Sequence, residues 1–135
     1  MKLSLIVPTI RSHFLNRFIE SVENSYSGDW EVVLIGPFDP PTGIDKWPVK
    51  FLKSYDTVPV CIQRGTQLAD GDLVLHGVDD SIYIPDMLDQ AVEFFKQNCE
   101  YEDALGMTYV ENTNDMTPVE KWTVRNCPEF HLPYI

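Results

Sequence analysis

Apolar positions along the chain switch between two periods. Residues 3–7 (LSLIV) form a short, mostly apolar run ended by Pro8, the pattern of a strand buried on both faces of a parallel sheet. Over 14–22 the period changes: Phe14, Leu15, Phe18, Ile19 and Val22 recur at helical spacing, with Asn16, Arg17, Glu20, Ser21 and Glu23 on the other side. This predicts an amphipathic helix that ends between residues 24 and 28. A second buried strand follows at 30–35 (WEVVLI) and stops at Gly36-Pro37. From 37 to 48, Pro37, Pro40, Pro41, Pro48 and Gly43 exclude regular structure over most of the segment. Residues 49–52 predict a third strand, 61–69 a helix closed by Asp70-Gly71, and 73–75 a buried fourth strand. The segment 85–97 carries strong helix signals. Pro85 stands in the first turn, Asp86 and Asp89 lie early, Lys96 lies late, and Met87, Leu88, Ala91, Val92, Phe94 and Phe95 supply the apolar face. Further strands are expected at 105–110 and 121–124.

Strands alternating with helices imply an α/β fold, a mainly parallel sheet with helices on both faces. In such sheets ligands bind beyond the carboxyl ends of the strands. Pro8-Thr9, residues 36–39 and residues 78–80 all fall on that edge.

Composition narrows the partners. With 135 residues the chain fits a single domain over 1–135. Its net charge is −11, from 21 acids against 10 bases, and no Lys/Arg cluster appears. Nucleic acid is excluded as a partner, because neutralising phosphates needs a basic face. Cys61, Cys99 and Cys127 are widely spaced and form no CxxC pair, which argues for reduced thiols and a cytoplasmic setting. No apolar stretch approaches the roughly 18–20 residues of a membrane span, and no secretory leader is expected. The sequence lacks G-x-S-x-G, GxxxxGK[ST] and GxGxxG.

The candidate chemistry is concentrated in HGVDDSIYIPDML, where adjacent acids Asp79 and Asp80 follow a strand. Two carboxylates so close repel, and a site that keeps both charged supplies a cation; hard oxygen ligands suit Mg2+ or Mn2+. A diphosphate completes that chemistry. An Asx-type turn, or an N-cap for the next helix, is the structural alternative. His76 reads as a packed or strand-end residue, and His13 and His131 have no partner pattern.

Two stretches carry a resemblance. IVPTIRSHFLNRFIESV resembles the opening of family 2 glycosyltransferases, a strand ending in P-T followed by L-x-x-x-[LI]-x-S-[VI], here Leu15, Ile19, Ser21 and Val22. GTQLADGDLVLHGVDDSIYIPDML is similar to the family's G-x-x-x-A-x-G-[DE]…D-x-D…P-x-x-L through Gly65, Ala69, Gly71, Asp72, Asp80, Pro85 and Leu88. Together they cover about 3–97. The resemblance implies a Rossmann-like GT-A fold that binds a nucleotide-diphospho-sugar, with UDP the family's commonest choice. It puts a divalent cation, Mn2+ or Mg2+, on Asp80, Asp79 near the ribose or diphosphate, and Pro8, Thr9 and Ile10 along the nucleotide. The implied reaction is inverting transfer of a sugar to an acceptor.

The chain departs from the family at several points. V-D-D stands where many relatives have D-x-D, close to a T-D-D variant. Gly36 and Pro37 occupy the positions of the base-reading acids, with Asp39 the nearest substitute. The family's A-R-N reads Cys61-Ile62-Gln63, and Arg64 alongside is the candidate diphosphate partner. The acceptor half that carries the general base has no counterpart motif; Asp115, Glu120 and Glu129 sit in no family pattern, and no base is assigned. The expectation is thus a donor-binding domain, a minimal enzyme or part of a longer one, that pairs as a homodimer if its sheet side is exposed. The competing reading is a non-catalytic nucleotide-binding or interaction module on the same fold. A nucleotidyltransferase fits less well, because the loop TIRSHF contains no glycine.

Overall fold

The computed structural model describes residues 1–100 and 103–105, and the strand segments 109–110, 124–125 and 130–131. Contacts divide the chain into two compact units, Met1–Asp89 and Gln90–Ile135. The first unit is built on a parallel sheet of β1 (Leu3–Pro8), β2 (Trp30–Gly36), β3 (Val49–Lys53) and β4 (Leu73–His76), in the order β3-β2-β1-β4. β1 is central, and its register sets Ile6 beside Val33 on one flank and beside His76 on the other. Nearly every residue of β1 and β2 is buried, as continuous apolar runs in a covered parallel sheet require.

Side-chain alternation along β1 assigns the helices to opposite faces. Ile6 shares a cluster with Val33, Ile35 and Cys61 of α2 (Val58–Leu68). A Cβ on Gly65 would stand 2.6 Å from Ile6 and 2.7 Å from Ile35, so the absence of a side chain there sets how closely α2 approaches. Val7 faces the other way, toward Phe18 of α1 (Leu15–Ser25), where Leu15, Phe18, Ile19 and Val22 are all buried. Burying a side chain such as Phe18 is worth about 1.5–3 kcal/mol, so the apolar stripe of α1 accounts for much of that face's cohesion.

Several boundaries differ from expectation. α2 starts at Val58 rather than at residue 61, because Pro59 occupies the first turn, where its missing N–H costs nothing. α3 (Met87–Asn98) starts two residues late: Asp86 has φ 63°, so Pro85-Asp86 is the turn before the helix. That turn is tied to α1, with Asp86 N–H donating to the Asn24 carbonyl (3.3 Å) and Leu88 N–H to Ser25 Oγ (2.9 Å). β4 is not the buried strand expected: Val74 is 44% exposed, because β4 ends the sheet among the described strands.

In the second unit, β5 (Asp103–Ala104) pairs antiparallel with β8 (Phe130–His131), and β6 (Tyr109–Val110) with β7 (Val124–Arg125). Of the strand expected over 105–110, Leu105 lies outside β5, Tyr109–Val110 form β6, and residues 106–108 lie outside those described. Of the strand expected at 121–124 only Val124 falls among the described residues, in β7.

Polar groups organise the amino edge of the sheet. The Glu31 side chain is 5% exposed and accepts hydrogen bonds from Ser4 Oγ (2.7 Å) and Asp70 N–H (2.7 Å). Lys50 and Lys2 lie at 3.1 and 3.3 Å from its other oxygen. Burial pushes this carboxyl up, but these four donors more than reverse the effect and hold it at about 2.

Candidate functional site

The β1–β4 register pairs Ile6 with His76, and continued in step it brings Thr9 and Asp79 out side by side at the carboxyl edge. Gly77 extends the pairing, its N–H donating to the Ile6 carbonyl at 2.8 Å. The turn that follows is closed by Ser81, which donates from its N–H (3.2 Å) and Oγ (2.8 Å) to the Val78 carbonyl. α3 begins only at Met87, so neither acid caps it.

Asp79 is engaged across the strands. Its Oδ2 accepts from Thr9 Oγ1 (2.5 Å) and Arg11 Nε (2.9 Å), and its Oδ1 accepts from Arg11 Nη2 (3.3 Å). This is a two-pronged guanidinium–carboxylate pair, the stronger class of charged hydrogen bond. Burial pushes the Asp79 carboxyl up, yet Arg11 and Thr9 hold it below its ordinary value. Arg11 is raised by its hydrogen bond to Asp79. The two acids differ sharply in exposure: the Asp79 side chain is 14% exposed and that of Asp80 55%, with Arg11 Nη2 touching Asp80 at 3.5 Å.

Arg11 is also held on its face. Its guanidinium carbon lies 4.9 Å from the centroid of the Phe14 ring, and that of Arg17 lies 4.7 Å from the same centroid. His13 packs against this ring at 4.1 Å between centroids. Arg17 Nε is buried and makes no hydrogen bond among the described residues. Beneath Arg11, a cavity of about 10 Å³ lined by Val7, Thr9, Leu15, Phe18, Leu34 and Asp79 has room for about one water.

The other expected site residues lie elsewhere on the edge. Pro8 closes β1, while Ile10 is 82% exposed in the following loop. Asp39 pairs with Lys53 (2.8 Å), and its side chain is 88% exposed. Arg64 points to the turn after β3, donating to Asp56 (2.9 Å) and Ser54 Oγ (3.3 Å), and makes no bond to Asp79 or Asp80. The structure thus gathers Thr9, Asp79 and Asp80, leaves Asp39 and Arg64 in pairs of their own, and adds Arg11, Phe14 and Arg17. The overlooked signal is compositional: two of the chain's four arginines, Arg11 and Arg17, fall within nine residues after a strand end, in a chain of net charge −11.

The absence of a side chain at residue 36 has a steric cause. A Cβ there would lie 2.6 Å from the Thr9 carbonyl oxygen and 2.5 Å from the Phe38 ring. Thr9 N–H donates to the Ile35 carbonyl at 2.8 Å, which holds the two strand ends against each other. An acid at position 36 has no space in this arrangement.

Among the described residues, no group of three or more His, Cys, Asp or Glu side chains could hold a metal ion. Asp80 offers one half-exposed carboxylate, touched by Arg11 Nη2 at 3.5 Å, and Asp79 is paired with Arg11 more tightly. That donor set is not a self-sufficient protein cage; Asp80 is the residue of the edge that could contribute a carboxylate to a hard cation.

A central parallel sheet covered by helices on both faces, with polar residues collected at its carboxyl edge, defines an α/β protein of Rossmann-like, GT-A-like fold. Its fold is similar to that of S. aureus TarS, a staphylococcal glycosyltransferase, with a TM-score of 0.59 and 19% identity over 72% of this chain. The matched region spans 20% of the TarS chain. No protein-family model matches the sequence, and no curated protein matches it. Among the described residues no helix is long and apolar enough to cross a membrane.

Proposed function

We propose that the chain is a donor-binding domain of family 2 glycosyltransferase type, which holds a nucleotide-diphospho-sugar, most simply a UDP-sugar, for transfer to an acceptor. The observation that carries this reading is the open carboxylate of Asp80 at the carboxyl edge of the sheet, beside Thr9, Arg11 and Asp79. The GT-A-like fold and the spacing from Asp80 to Pro85 support it. The small cavity under Arg11 is too tight for a nucleotide, so the donor lies along the edge, over the loop 9–13 and the turn 78–81. Asp80 is the residue for Mn2+ or Mg2+, and the bound cation supplies charge stabilisation on the diphosphate leaving group. Asp79 keeps Arg11 and Thr9 in position. Transfer is taken as inverting: the acceptor hydroxyl attacks the anomeric carbon and the nucleoside diphosphate departs. Asp115, Glu120 and Glu129 lie outside the described residues.

One observation favours a second reading, a binding module without transferase activity: the walled position at Gly36, where the family reads the base. Calorimetric titration of UDP, GDP and ADP with and without Mn2+ separates the cases. Metal-dependent binding that Asp80→Asn abolishes, in a variant with an unchanged circular dichroism spectrum, is the expected result. No metal-dependent nucleotide binding by the intact chain would sink the donor-site reading.

A further inference from the structure

We propose that Arg11, with Arg17 against the same Phe14 ring, forms the subsite that takes the diphosphate of the donor, a role for which the sequence pointed to Arg64. The inference rests on the donor-site reading for the identity of its ligand. Its physical basis is separate from that reading.

Arg11 is pinned on two sides. Asp79 takes Nε and Nη2 along one edge of the guanidinium, and the Phe14 ring lies against it at 4.9 Å. Its hydrogen bonds use Nε and Nη2, which leaves the two N–H groups of Nη1, and the side chain is 41% exposed. A guanidinium fixed in this way, with N–H groups facing solvent, loses little freedom when it binds an oxyanion, and its fork suits phosphate oxygens. Arg17 supplies the second, independent observation. Its guanidinium carbon lies 4.7 Å from the same ring, and its buried Nε lacks a partner, although a buried N–H without an acceptor is costly. An oxyanion drawn to the guanidinium groups at Phe14 is the kind of acceptor this N–H lacks. Arg64, by contrast, donates from Nη1 to Asp56 and Ser54 at the turn after β3 and makes no bond to Asp79 or Asp80. Asp79 is therefore a positioning residue that aims Arg11, while Asp80, next to it, is 55% exposed and touched by Arg11 only at 3.5 Å.

The test titrates inorganic pyrophosphate, and separately UDP with Mn2+, into the intact chain at low ionic strength. Arg11→Gln, Arg11→Lys and Arg17→Gln are compared with the parent, and thermal melts report folding. Arg11→Gln and Arg17→Gln are each expected to weaken pyrophosphate about tenfold, the loss of a charge-assisted hydrogen bond. Arg11→Lys, which keeps the charge and loses the fork, is expected to weaken it about threefold. If Arg11→Gln fails to fold, Arg11→Lys and Arg17→Gln carry the test. Pyrophosphate binding that none of these variants changes overturns the proposal. UDP binding that needs Mn2+ and Asp80 but ignores both arginines also overturns it, and leaves the donor reading standing. Arginine-dependent pyrophosphate binding without any nucleoside diphosphate binding supports the subsite and overturns the donor reading instead. Binding of neither ligand by the parent overturns both.

Discussion

Protonating Glu31 should selectively loosen the amino edge of the sheet. Its carboxyl, ordinarily near 4.5, is held at about 2 in the folded chain by Asp70 N–H, Ser4, Lys50 and Lys2, against the opposing effect of burial. At roughly 1.36 kcal/mol per unit, that depression corresponds to about 3 kcal/mol of stability. The sign follows from the lowered value: the stabilisation is complete above about pH 4.5 and is lost as pH falls toward about 2. At pH 3 about 2 kcal/mol of it should be gone. Glu31→Gln keeps an acceptor for Ser4 and Asp70 but no charge for the lysines, so it should cost about 3 kcal/mol at pH 7. The assay is urea unfolding of parent and variant at pH 7 and pH 3. Other carboxylates titrate equally in both proteins, so the parent's stability should fall by about 2 kcal/mol more than the variant's between the two pH values. Parallel losses in the two proteins would refute the assignment of this charge to the Glu31 network.

Two further substitutions probe the carboxyl edge. Asp79→Asn should cost about 1–2 kcal/mol in urea unfolding at pH 7, because it weakens the pair with Arg11 while Arg11 stays partly solvated; no loss would show that the pair contributes nothing. Gly36→Ala should destabilise by about 1–3 kcal/mol, since its Cβ meets the Thr9 carbonyl and the Phe38 ring below van der Waals distance. A neutral Gly36→Ala in the same assay would mean that the two strand ends can part.

The buried strands were legible because β1 and β2 are covered on both faces, and their sequences, LSLIVP and WEVVLIG, are apolar almost throughout. The same signal misled for β4. Leu73-Val74-Leu75 is equally apolar, but its exposure depends on which strand ends the sheet, and that is a property of topology rather than of the run. The start of α3 was misplaced because Pro85 favours a first turn, whereas the left-handed Asp86 is fixed by its bond to Asn24. At the site, Thr9, Asp79 and Asp80 follow from strand ends and spacing. Arg11 does not, because the direction of a loop side chain is set by a partner 68 residues away. Asp39 and Arg64 lie in pairs of their own, with Lys53 and Asp56, and sequence spacing does not reveal such local partners.

β1 joins two charged clusters of opposite purpose. Ser4, near its start, is bonded to Glu31, and Thr9, just past its end, to Asp79. Five residues of strand separate them by about 16 Å, beyond the roughly 10 Å screening distance of 0.1 M salt. At that separation two unit charges interact by only about 0.3–1 kcal/mol, so the charge of Glu31 acts on Arg11 far more weakly than that of Asp79, which lies at 2.9 Å. Substitutions in the charges at the carboxyl end of this strand can accumulate without altering how the sheet is held together at the other.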